Sequence, residues 1–190
     1  MKKLSFLLSA LVLLGIYACA SKVKKEEVKE EKAPKALVAY FSATGTTQHV
    51  ATIISQIVGG ELYAICPEQP YTTEDLDWTN KESRSTLEMQ DPTSRPAMTD
   101  MKTDLNDYDV LYIGFPIWWD KAPTIINTFI EHYDLSGKKI CVFATSGGSE
   151  ITNSFAELKK AYPSLQWVDA KLLNKATEED IKAWVNKKME

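Results

Sequence analysis

The chain of 190 residues is 25% charged and 44% hydrophobic, with 8 Gly and 8 Pro, a balance that fits one globular domain and excludes collagen-like, disordered and multi-span membrane classes. Its formal charge of −4 speaks against a nucleic-acid partner, which requires a basic footprint. With 2 His and 3 Cys there is no material for a zinc centre of clustered Cys and His, and no metal is expected.

At the start, Lys2 and Lys3 precede an apolar run from Leu4 to Tyr17, interrupted only by Ser5, Ser9 and Gly15, and Ala18-Cys19-Ala20-Ser21 follows. This is the layout of an export signal, and the run is short for a spanning helix, which needs about 20 apolar residues. The small residue before Cys19 resembles the lipobox of bacterial lipoproteins, although Ile16 and Tyr17 fit its usual Leu-small-small-Cys pattern loosely. That resemblance implies a signal peptide over 1–18, lipidation at Cys19 and a membrane-anchored lipoprotein in the cell envelope of a bacterium. An uncleaved anchor and an ordinary secreted product are the alternatives. Residues 19–35 are mostly Lys, Glu, Ala and Val up to Pro34; they carry too little apolar surface to dock and read as a charged tether.

The body, 36–190, alternates two periods. Leu37–Phe41, Val110–Phe115 and Ile140–Ala144 are continuous apolar runs, the pattern of parallel strands buried on both faces, while 61–65 and 165–168 fit weaker edge strands. Val50, Ile53, Ile54, Ile57 and Val58 mark a helix that Gly59-Gly60 stops. Ile125 to Tyr133 and Ile151 to Tyr162 carry two further stripes, and Thr177 with Glu178, Glu179 and Asp180 caps a last helix burying Ile181, Trp184 and Val185. Strands alternating with helices predict an α/β fold with a doubly wound, five-stranded parallel sheet. One connection breaks the rhythm: Cys66 to Tyr108 spans 43 residues with four Pro and no strong apolar stripe. A short helix is expected there within 80–89, and a connection of this length is usually functional.

In such a sheet ligands gather at the C-terminal strand ends. After the first strand, Ser42-Ala43-Thr44-Gly45-Thr46-Thr47 offers four hydroxyls and a glycine at a helix N-terminus, a setting that suits a phosphate monoester. It has neither the Lys of a Walker A loop nor three glycines of a dinucleotide loop. An ordinary hydroxyl N-cap is the plain alternative. After the third strand comes Phe115-Pro116-Ile117-Trp118-Trp119-Asp120-Lys121; two adjacent indoles cannot both enter the core, so one is expected over a planar aromatic ligand. After the fourth, Ser146-Gly147-Gly148 lets backbone approach a flat ligand edge. Phosphate loop, aromatic platform and bare backbone edge together describe a site for flavin mononucleotide (FMN).

These segments resemble the flavodoxin family, specifically flavodoxin-type proteins whose third strand ends in Gly-x-Pro-x-Trp-Trp; the likeness runs over about residues 36–175. It implies a flavodoxin-like sheet of order 2-1-3-4-5 and bound FMN. Ser42, Thr44, Gly45, Thr46 and Thr47 would hold the phosphate; Pro116, Ile117, Trp118, Trp119, Ser146, Gly147 and Gly148 would line the flavin ring. Asp120 stands where many relatives are expected to carry Gly. In that strand order Cys66 and Cys141 lie two strands apart, roughly 14 Å at about 4.8 Å per strand, too far to bridge. Three functions follow: an electron carrier between redox partner proteins, tethered to the membrane by its lipid; an FMN-dependent reductase of a small acceptor such as a quinone; or a domain of this fold without cofactor.

Overall fold

A computed structural model describes residues 34–99 and 102–189. The expected signal peptide, Cys19 and all of the tether before residue 34 lie outside the described residues. In chain order the elements are β1 (Ala36–Tyr40), α1 (Thr46–Val58), β2 (Glu61–Ala64), α2 (Arg84–Gln90), β3 (Val110–Pro116), α3 (Thr124–His132), β4 (Lys139–Thr145), α4 (Ile151–Ala161), β5 (Gln166–Leu172) and α5 (Glu178–Met189). The five strands form one parallel sheet of order β2-β1-β3-β4-β5, the arrangement that the sequence pattern and the resemblance predict.

The continuous apolar runs become the inner strands because residues of both parities find an apolar layer. One face sets Leu37, Ala39, Leu111, Ile113, Ile140 and Val142 against Ile125, Ile126 and Phe129 of α3 and Leu158 of α4. The other sets Val38, Tyr40, Tyr112 and Phe143 against Val50 and Ile54 of α1 and Ile181, Trp184 and Val185 of α5. Gly114 of β3 is obligatory by space, since a Cβ there would lie 2.0 Å from Phe143 Cζ. Lys35, at the end of the expected tether, is already held: its N–H donates to Asp109 Oδ2 (2.8 Å), and its carbonyl accepts from Asp109 (2.9 Å) at the foot of β3.

One expected element is located and another differs from expectation. The short helix of the long connection is Arg84–Gln90, started by Ser83, whose hydroxyl accepts from Thr86 N–H; its exposed Leu87 explains why no stripe announced it. β5 runs to Leu172 rather than 168, because the ladder to β4 slips between Ile140 and Cys141, which pair with Trp167 and Asp169. The skipped Val168 resets the alternation, so period two is lost in the sequence. Asp169, one residue past the expected strand, accepts from Trp184 Nε1 at 2.8 Å. Among the described residues no helix is long and apolar enough to cross a membrane, and no cluster of His, Cys, Asp and Glu is arranged to hold a metal ion.

Candidate functional site

The first strand delivers its loop to the C-terminal edge of the sheet. Gly45 is the N-cap of α1 with φ 89°, a left-handed conformation that L side chains adopt rarely, which is why a glycine stands there. Ser42 Oγ accepts from Gly45 N–H at 3.1 Å and closes the loop. Thr44, Gly45 and Thr46 face solvent, whereas Thr47 is buried, its Oγ1 2.8 Å from Thr145 Oγ1. That hydroxyl pair ties the start of α1 to the end of β4, so the Thr46 hydroxyl and the leading N–H groups of α1 are the donors left facing outward.

The third strand ends in a tight hairpin. Trp118 N–H donates to the Lys121 carbonyl (3.0 Å) and Lys121 N–H to the Trp118 carbonyl (2.9 Å), with Trp119 at φ 47° and Asp120 at φ 60° between them. Positive φ at both central positions is the type I′ turn, for which Asn-Gly is the usual pair. Here it carries a tryptophan and an aspartate, each disfavoured by about 1 kcal/mol or more. Asp120 thus takes the conformation a glycine would. Its side chain does not cap α3, whose N-cap is Pro123 with no side-chain hydrogen bond. The turn separates the two indoles: Trp118 folds in, edge-on to Phe41 (5.5 Å) and Tyr71 (5.4 Å), and Trp119 stays 44% exposed.

Between this turn and the 66–108 connection lies a cavity of about 400 Å³ lined by Leu76, Trp78, Ser85, Ile117, Trp118 and Trp119. A second, lined by Thr44, Thr73, Glu74, Leu76, Asp77 and Trp78, shares Leu76 and Trp78 with it. The two form one crevice running from the hydroxyl loop of β1 to the indoles of β3. Of the expected site residues, Thr44, Ile117, Trp118 and Trp119 line it. Ser42, Gly45, Thr46 and Thr47 share the loop of Thr44 but line neither cavity, and Pro116 ends β3 beneath the turn. Ser146, Gly147 and Gly148 lie on the same sheet edge but border a separate cavity with Lys171, Asn174 and Lys175. That loop closes on itself, Ser146 Oγ accepting from Gly148 (3.0 Å) and Ser149 (2.7 Å) N–H groups.

The opposite wall was missed by sequence reasoning. Leu76, Trp78 and Ser85 come from the connection without a stripe, and the available signal was a tryptophan set among Glu74, Asp75 and Asp77 with no apolar partners in register. Trp78 is 74% exposed. The wall is braced through Tyr71, which donates to Glu88 and lies 4.1 Å beneath the Arg84 guanidinium; Arg84 Nε bonds Glu88 (2.7 Å) and its Nη1 the Gln69 carbonyl (2.7 Å). Burial and then Glu88 push the Tyr71 phenol far above its ordinary value, so it stays a neutral donor.

The crevice fits FMN by chemistry. One end is walled by three indoles and two aliphatic side chains, which match a planar ring. In that wall the buried Ser85 Oγ has no hydrogen-bond partner, an open polar group of the kind a ring edge satisfies. The other end, about 570 Å³, offers the hydroxyls of Thr44 and Thr73, with the N-terminus of α1 two residues beyond Thr44. No Lys or Arg lines either cavity, so a phosphate would be met by the α1 dipole and neutral donors, against Glu74 and an Asp77 carboxyl that the Thr79 hydroxyl holds below the usual carboxylate range.

Comparison with known proteins gives the family and the fold. The flavodoxin family matches residues 35–188, and the chain belongs to the flavodoxin family. A provisionally described flavoprotein from Bacteroides eggerthii is 56% identical with a TM-score of 0.79, covering 82% of this chain and 98% of its own. One from Bacteroides uniformis is 51% identical over 82% and 99%, also at 0.79. A flavoprotein from Lactobacillus acidophilus solved in complex with FMN shares the fold, at 23% identity over 83% and 100% and a TM-score of 0.66. No significant match is found among curated proteins.

Proposed function

We propose that this protein binds FMN noncovalently in the crevice between Thr44 and Trp119 and carries electrons between partner proteins, held at the membrane through a lipid on Cys19. The observation that carries the reading is that the two cavities adjoin at Leu76 and Trp78, with the Thr44 and Thr73 hydroxyls at one end and three indoles at the other. Thr44, Gly45, Thr46 and the backbone of Thr47 hold the phosphate; Trp119 and Trp78 lie against the ring, and Trp118, edge-on to Phe41 and Tyr71, lines the crevice beside them. Bound FMN supplies one- and two-electron transfer at its ring. The chain fixes the ring, excludes water from its covered face, and leaves its exposed side to a partner.

Loss of residues 1–18 removes Lys2 and Lys3 and no acid, so a mature body is more acidic than the whole chain. That charge favours encounter with basic redox proteins. The FMN-complexed relative supports the choice of cofactor, and the lipobox-like Ala18-Cys19 junction supports the anchor.

Titration of the protein lacking its first 18 residues tests the cofactor: FMN quenches tryptophan fluorescence at one equivalent, and riboflavin binds far more weakly because it leaves the phosphate donors unpaired. Equal affinity for the two would remove the phosphate-loop assignment. For the anchor, Cys19→Ser in the full chain should abolish membrane partition or leave the precursor unprocessed; a variant of unchanged size and unchanged partition would sink it.

A further inference from the structure

Two consecutive non-glycine residues at positive φ need something outside the turn to hold them. The two hydrogen bonds between Trp118 and Lys121 close the turn from inside, and their breaking exposes the Lys121 amide. From outside, the Asp120 carbonyl, which lies in one peptide plane with the Lys121 N–H and points away from the hairpin, accepts from Asn153 Nδ2 at 3.0 Å and from Ser154 Oγ at 3.1 Å. Both donors sit in the first half of α4, an element that contributes no residue to the lining of the crevice. Ser154 is fully buried. A serine in a helix ordinarily returns its hydroxyl to the carbonyl one turn back; this one sends it across to another element.

We propose that Asn153 and Ser154 clamp the Asp120 carbonyl and thereby hold the strained Trp119-Asp120 turn in the conformation that presents the Trp119 indole to the crevice. They are positioning residues: α4 sets the shape of the ring site without touching its ligand. A turn with a glycine at the second central position would adopt positive φ unaided; Asp120 makes the turn dependent on α4. The consequence for the flavin rests on the FMN reading, whereas the clamp is a property of the chain alone.

The experiment measures two quantities in Asn153→Ala, Ser154→Ala and the double variant: hydrogen exchange at the Lys121 amide without ligand, and FMN affinity. Asn153 is exposed and Ser154→Ala is nearly isosteric, so folding is retained, and thermal melting checks it. Each single variant should speed Lys121 exchange and weaken FMN about fivefold, the double more, as expected for loss of one or two ordinary hydrogen bonds. Asp120→Gly in the double-variant background should recover both, a rescue that simple packing of α4 against the turn would not produce. Unchanged exchange in the double variant would overturn the clamp. Faster exchange with unchanged FMN affinity would overturn its role in the site. Failure of the parent protein to take up FMN would overturn the flavin reading and that role together, while exchange at Lys121 still decides the clamp.

Discussion

The sheet and the 66–108 excursion sit side by side and are held by different forces. β1 is buried along its whole length, and Phe143 fills the space above Gly114; here stability comes from apolar area and close packing. The excursion has little of either. Its two legs are joined by a short antiparallel contact, Thr99 N–H to the Cys66 carbonyl (2.8 Å) and Glu68 N–H to the Ala97 carbonyl (2.9 Å). Polar staples do the rest: Arg95 grips Glu131 of α3 with two bonds of 2.7 and 2.8 Å, Lys102 reaches Glu61 of β2 at 2.6 Å, and Tyr71 lies between Glu88 and Arg84. One wall of the crevice therefore belongs to the packed sheet and the other to a segment tied down largely by polar contacts.

The sharpest break of that contrast is in the sheet. Phe143→Ala should lose about 4 kcal/mol of global stability, and Gly114→Ala about 2 to 3 kcal/mol by overpacking. Together they should cost less than their sum, because the new methyl occupies part of the void; urea denaturation reads all three. Strict additivity would mean that the two residues do not share that space.

Next come the two ends of the crevice. Thr46→Val, on the sheet side, removes a hydroxyl from a charged phosphate and should weaken FMN by about 1.5 to 3 kcal/mol, ten- to a hundredfold. Trp78→Ala, on the excursion side, should cost about 1 kcal/mol of FMN affinity through lost stacking and leave the urea midpoint unmoved, since Trp78 buries little of itself in the apo chain. A shifted midpoint would place Trp78 in the fold rather than in the site.

Acid should separate the two regions. The Arg95 hydrogen bond holds the Glu131 carboxyl below its ordinary value, with a further contribution from Tyr162, and hydrogen bonds from Lys102 and Tyr108 do the same for Glu61. A carboxyl whose folded value is depressed gives its stabilisation above its unfolded value and loses it as pH falls through the folded one. From pH about 5 downward the excursion should therefore become more sensitive to protease while near-ultraviolet signals of the core persist. Glu131→Gln should mimic this at neutral pH with a local loss of about 1 kcal/mol or less, the two partners being part-exposed. Simultaneous loss of both regions would show the staples to be incidental.

The smallest effect is electrostatic. Asp120 is exposed, and Asn tolerates its positive φ at least as well, so Asp120→Asn removes a charge beside the ring and leaves the turn. The reduced flavin is readily anionic, and the potential of the second electron should rise by about 20 mV, roughly 0.5 kcal/mol after screening. An unchanged potential with unchanged FMN affinity would leave Asp120 as a backbone element only.

Strand identity, helix stripes and the hydroxyl loop were legible in the sequence because each is a local pattern with its own period or turn chemistry. Alternation of strand and helix with right-handed crossovers left few topologies for the sheet, and a glycine after Thr44 was expected at the N-terminus of α1, although its left-handed φ was not. The full length of β5 was hidden, since a register slip at Val168 erased the alternation and Asp169 found its partner in Trp184, 15 residues onward. Nor could the sequence say that Trp118 turns in and Trp119 out, that the Thr47 hydroxyl is committed to Thr145, or that Ser146–Gly148 borders a different cavity from the indoles. Those outcomes depend on contacts between residues far apart in the chain, 98 positions in the case of Thr47 and Thr145. The second wall of the crevice is the fullest example: Leu76, Trp78 and Ser85 carry no periodic signal because they face a ligand-sized space instead of a core, and only the tertiary fold brings them opposite Trp119.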